Sequence, residues 1–66
     1  MNDRTTPPVR LVLTIEEAAE RLGIGRTLMY ALVSDGEVES VRIGRLRRIP
    51  ADALVEYVRG LRGEAA

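Results

Sequence analysis

Gly23-Ile24-Gly25 breaks what would otherwise be one continuous helical pattern, and the residues on either side leave few ways for the two halves to pack. Upstream, Ile15, Ala18, Ala19 and Leu22 recur at i, i+3, i+4 and i+7, the apolar stripe of one helix face. Thr14-Ile15-Glu16-Glu17 matches a capping box, in which Thr14 accepts from the backbone N–H of Glu17 and the Glu17 side chain reaches back. Leu13 before the cap and Ala18 after it form the matching apolar staple. A first helix from Ile15 to Leu22 is predicted. Downstream, Met29, Leu32 and Val33 repeat the pattern at i, i+3 and i+4, which predicts a second helix from Arg26 to Ser34, stopped by Asp35-Gly36. Gly23 can adopt the positive φ that ends the first helix, with Ile24 as an apolar plug between two glycines.

Counting outward from Gly23 tests how the two helices meet. Ala19 lies four residues earlier, where a close helix crossing tolerates only a small side chain. Ala18 and Leu22 fall at buried positions, Ile24 fills the turn, and Met29 and Leu32 anchor the second helix. Each place that needs a small or apolar residue has one, as a helix-turn-helix requires. An ordinary αα-hairpin asks for the same glycine and the same stripes, so the helix pair alone leaves both open.

The period changes after residue 38. Val41 and Ile43 alternate with Ser40 and Arg42, a half-buried strand pattern. Gly44-Arg45 makes a tight turn, and Arg47-Arg48-Ile49 returns as a second short strand. Pro50 then opens a third helix within its first turn, where a missing N–H costs nothing. Asp52 suits the positive end of that helix, and Arg59 and Arg62 the negative end. Leu54, Tyr57, Val58 and Leu61 supply its stripe, and Gly63 a stop. Near the start, Leu11-Val12-Leu13 reads either as one short strand or as a hydrophobic lip.

Charge is where function becomes visible. The chain is neutral overall, with 10 basic and 10 acidic residues. The two signs are segregated, however: Asp35, Glu37 and Glu39 precede Arg42, Arg45, Arg47 and Arg48. Four arginines crowded around one turn repel one another unless a polyanion lies against them, and a phosphate backbone meets that need. Every basic residue is Arg, which reflects either a GC-rich genome or the better fit of that side chain to bidentate phosphate and guanine contacts.

The remaining composition sets bounds. Sixty-six residues allow one domain, which buries only about 60% of the surface exposed by its unfolded chain. With two Tyr and neither Phe nor Trp, the core must come from Leu, Ile, Val, Ala and Met. The absence of Cys and His removes disulfides, thiolate or imidazole metal sites, and the usual proton-transfer residues. No paired carboxylates sit in an expected pocket, so the chain reads as a non-enzyme without cofactor or metal. No apolar run approaches the roughly 18–20 residues of a membrane span, and the expected compartment is the cytoplasm. The polar segment 1–10, with Pro7-Pro8, reads as a disordered lead-in, 11–62 as the folded domain, and 63–66 as a flexible tail.

Segments 14–27, 29–33, 35–38 and 41–50 together (Thr-Ile-Glu-Glu-Ala-Ala-Glu-Arg-Leu-Gly-Ile-Gly-Arg-Thr, Met-Tyr-Ala-Leu-Val, Asp-Gly-Glu-Val, Val-Arg-Ile-Gly-Arg-Leu-Arg-Arg-Ile-Pro) resemble the excisionase/MerR-type winged-helix domain. The resemblance runs from about Leu11 to Leu61. It implies a mainly α fold of three helices with a small β-hairpin wing. It also implies that the second helix enters the major groove of double-stranded DNA while the wing follows the neighbouring backbone or minor groove. The matching positions are Arg26, Thr27 and Tyr30 on the helix and Arg42, Arg45, Arg47 and Arg48 on the wing. Arg26 and Thr27 start the helix, where side chains reach base edges. Tyr30 either bonds a phosphate or is partly buried under the wing. Arg45, at the turn, suits groove insertion. Leu28 stands where the family often has a polar residue. It either meets a thymine methyl or is a lone exposed leucine.

Three functions compete. An excisionase binds and bends attachment-site DNA to help an integrase excise, and the family implies head-to-tail self-association along such DNA. A small transcriptional regulator binds promoter DNA instead. A protein-interaction module has only the neutral net charge in its favour. The small size without an effector domain favours the first.

Overall fold

A computed structural model describes residues 11–63. The expected segment 1–10 and most of the expected tail, 64–66, lie outside the described residues. The elements run β1 (Val12–Leu13), α1 (Ile15–Leu22), α2 (Arg26–Ser34), β2 (Val41–Ile43), β3 (Leu46–Pro50) and α3 (Ala51–Leu61). The chain is thus mainly helical with a three-stranded antiparallel sheet of order β1-β3-β2, a winged helix-turn-helix.

Local chemistry sets both bounds of α1. The Thr14 hydroxyl accepts from the Glu17 N–H at 3.0 Å, and a Glu17 carboxylate oxygen accepts from the Thr14 N–H at 2.9 Å. At the other end Gly23 has φ +71°. Its N–H donates to the Glu20 carbonyl at 3.1 Å, and that of Ile24 to the Ala19 carbonyl at 3.0 Å. These two bonds are the Schellman pattern, which satisfies carbonyls that a helix end otherwise strands. The same device closes α2: Gly36, with φ +79°, donates to Val33, and Glu37 donates to Leu32 at 2.9 Å. Gly23 has room for a Cβ, so Gly23→Ala should cost about 1–2 kcal/mol from the left-handed backbone alone. Thermal unfolding followed by circular dichroism should show a fall of roughly 4–8 °C per kcal/mol in a domain this size. An unchanged midpoint would mean that the turn can rearrange.

The buried set is Leu13, Ile15, Ala18, Ala19, Met29, Val38, Ile49, Ala53 and Leu54. Ala18 and Ala19, at 0% and 4% exposure, are the small buried residues of α1, the helix that packs against α2. Met29 is the one residue of α2 fully buried.

Four details depart from the sequence reading or extend it. Leu11-Val12-Leu13 is resolved in favour of a strand: Val12 pairs with Pro50 and Leu13 with Ile49. This pairing lengthens the hairpin's return strand to Leu46–Pro50. Pro50 consequently sits one residue ahead of α3 rather than within its first turn. Its ψ of 136° is extended, and the Leu11 carbonyl accepts the first helical N–H, from Ala51, at 2.9 Å.

Ile43 is not half-buried but 54% exposed, because its register opposite Leu46 puts it on the hairpin face away from buried Ile49. The α3 stripe is only partly used. Leu54 is buried and Tyr57 half-buried, whereas Val58 and Leu61 face solvent. Arg21 and Leu22 of α1 border Val58 across an open groove without covering it.

Candidate nucleic-acid interface

The interface begins with the exposed side of α2. At about 100° per residue, burial of Met29 with partial burial of Leu32 and Val33 turns Thr27, Ala31 and Ser34 outward. Tyr30 and Arg26 flank that face on one side and Leu28 on the other. Three small side chains in a row let the helix backbone come close to whatever it docks against. Ala31 and Ser34 were not singled out from the sequence. The apolar stripe marks the buried face, and Ala31 and Ser34 carry no signal of their own beyond lying opposite it.

The wing is ordered by its register. Arg42 lies opposite Arg47, Val41 opposite Arg48, and Ile43 opposite Leu46. Facing residues share one side of a sheet and alternate residues share a side along a strand. Arg42 and Arg47 therefore lie on the face that continues into buried Ile49. Ile43, Leu46 and Arg48 occupy the opposite face. Arg45 is at the tip, beside Gly44, whose φ of +63° at the first central position matches a type II′ turn.

Wing and helix meet in two adjoining depressions. Arg47 lines the first with Ile15, Tyr30, Val33 and Ser34. Arg47 and Arg48 line the second with Glu16 and Tyr30. Two guanidinium-bearing residues thus adjoin the flank of α2 that carries Tyr30. Arg47 is held there by a 2.7 Å hydrogen bond to the Ser40 hydroxyl, and Arg48 donates to the Arg47 carbonyl at 2.9 Å. Arg26 is not part of this group. It lies in a separate depression beside α1 with Glu16, Glu20 and Ile24.

Tyr30 is 48% exposed, and its hydroxyl donates to a Glu16 carboxylate oxygen at 3.4 Å. Glu16 thereby borders both the arginine-lined depression and the one holding Arg26. In the sequence Glu16 reads only as a helix-start acid. Its position amid the basic residues depends on α1 crossing α2, which no local pattern reveals. Leu28 is 52% exposed on the far flank of α2.

The chain thus joins a packed helix pair, a glycine turn, an exposed second helix and a basic hairpin beside it. The described chain matches the model of the helix-turn-helix domain over residues 12–62. A protein of Streptomyces ambofaciens named as an excisionase is 35% identical over 54 residues, covering 82% of this chain and 87% of that protein. The chain belongs to the excisionase-type helix-turn-helix family.

A protein of Saccharopolyspora erythraea named as a probable excisionase is 66% identical to this helix-turn-helix chain over 50 residues. A Mycobacterium tuberculosis protein named as a candidate antitoxin, VapB50, is 44% identical over 50 residues. The helix-turn-helix chain spans about half the length of the first (51%) and 38% of the second. No solved structure matches it.

Proposed function

We propose that this helix-turn-helix domain binds double-stranded DNA as an excisionase, bending attachment-site DNA so that an integrase can excise. The observation that carries the reading is Arg47 of the wing beside Tyr30 of α2 in both depressions, with Arg48 bordering one of them from the other face of the hairpin. A positive wing beside an exposed helix is complementary to a groove flanked by phosphates. Likeness to the Streptomyces excisionase over most of its length favours excision over promoter control.

In this reading the Thr27-Ala31-Ser34 face enters the major groove, with Arg26 and Tyr30 beside it. Arg42, Arg47 and Arg48 hold the backbone and Arg45 reaches the adjoining groove. The protein works by binding rather than catalysis, in the cytoplasm where its DNA is. Asp35, Glu37 and Glu39, all exposed past the end of α2, offer carboxylates to the arginines of a neighbouring copy on DNA. Such a contact would join copies head to tail.

Footprinting on DNA that carries the attachment region tests the reading. Several adjacent protected sites beside the integrase core are expected. Protection confined to a promoter would make the protein a transcriptional regulator instead.

Glu16 gives a second test. A carboxylate within the basic surface opposes phosphates and accepts from exocyclic amines such as cytosine N4. One charge about 6 Å from a phosphate in water-like surroundings is worth roughly 0.7 kcal/mol. Glu16→Gln should therefore tighten binding to random duplex about threefold while narrowing the gap between cognate and random sites. Competition titrations at fixed salt measure both. Weaker binding to every duplex would instead mean that Glu16 serves to hold Tyr30.

A further inference from the structure

Away from that surface, α1 and α3 enclose a groove of about 530 Å³ to which no residue of α2 or of the hairpin contributes. Leu22, Leu54, Val55 and Val58 form its apolar part, and Arg21, Arg59 and Arg62 also line it. On α3 the groove side is Ala51, Val55, Val58 and Arg62, at i, i+4, i+7 and i+11, a continuous flank of three turns. Val55 is 50% exposed and Val58 38%, although neither belongs to the surface ascribed to DNA.

We propose that this groove receives an acidic amphipathic helix from a partner protein. Helix-in-groove recognition needs an apolar channel with anchors at helical spacing, and no other described residue fills the one along this flank. Electrostatics selects the occupant. Every charged residue lining the groove is an arginine; Arg62 is already engaged, so Arg21 and Arg59 are the cations that face an incoming carboxylate. Glu56, outside the lining, touches Arg59 at 3.3 Å, but both side chains are more than half exposed, so the pair can exchange with an incoming carboxylate. A second copy docked groove to groove about a twofold axis would set one arginine-lined rim against another. A foreign helix with carboxylates on both sides of an apolar stripe meets the rim with opposite charge. Because α2 and the wing stay clear, the partner and DNA can be held together. The inference does not depend on what the basic wing binds.

The test uses the full ¹⁵N-labelled chain and two synthetic helical peptides sharing one leucine stripe, one flanked by Glu and the other by Lys. The Glu peptide should bind saturably, with amide shifts confined to residues 21–22 and 51–62, and at least tenfold more tightly than the Lys peptide. Arg21→Glu should erase that preference. Val55→Asp, at an exposed position, should abolish binding while leaving the circular dichroism and duplex affinity unchanged. Failure of both peptides to bind, equal binding of both, or shifts on α2 and the wing would each overturn the proposal. So would a dimer in sedimentation that Val55→Asp dissociates, since a second copy would then be the occupant.

Discussion

Replacing Arg42, Arg45 and Arg47 together by alanine should nearly eliminate binding to every duplex, cognate or not, and flatten its dependence on salt. Four guanidiniums meeting phosphates give log K a slope of about −3.6 against log salt. Raising salt from about 50 to about 200 mM should then release the unmodified protein roughly 150-fold. With Arg48 alone left on the wing, the slope should fall to about −0.9. Arg42, Arg45 and Arg47 are all exposed, so helix content and unfolding midpoint should hardly move. Anisotropy titrations at four salt concentrations would measure the slope, with circular dichroism as the control. A steep slope retained by the triple variant would place the phosphate contacts elsewhere and remove the basis for the wing's role.

Met29→Ala should have the largest effect on folding. Met29 is fully enclosed, and no other α2 side chain is buried to the same degree. Truncating such a residue costs about 2–5 kcal/mol, from lost transfer energy and the cavity left behind. A domain of this size rarely has more than about 3–5 kcal/mol in total. The variant should therefore be largely unfolded at room temperature, or α2 should detach from α1. Either way DNA binding should vanish although every wing arginine remains. Met29→Leu, which nearly conserves volume, should stay within about 1.5 kcal/mol of the parent and keep binding. Urea titrations of the three proteins decide the matter. A stable Met29→Ala protein that still binds DNA would show that α2 is not anchored through this residue.

The helix bounds were legible because the groups that set them are close in the chain. Thr14 and Glu17 cap each other across three residues, and Gly23 and Gly36 end their helices through bonds reaching back three to five residues. Ala18 and Ala19 were legible for a related reason, since a close crossing tolerates little else. Val38 was not. It is 1% exposed only because the Gly36 turn swings the chain back beneath α2, and its lone apolar side chain carries no period of its own. The arginines of the hairpin were visible as a cluster, but their division between two faces was not. A one-residue change of register would exchange Arg47 and Arg48 between those faces.

What the sequence determined alone is thus the set of parts: two capped helices around a glycine turn, a basic hairpin and a third helix. Each follows from hydrogen bonds and periodicities that span a few residues. Tertiary structure decided how the parts face one another. Pairing of Val12 with Pro50 joins the start of the domain to the entrance of α3 and docks the hairpin beside α1. The packing of α1 on α2 sets Glu16 beside Tyr30, and that of α1 on α3 leaves Val55 and Val58 lining an open groove. These outcomes depend on contacts between segments far apart in the chain, whose energies come from shared burial that no single segment encodes.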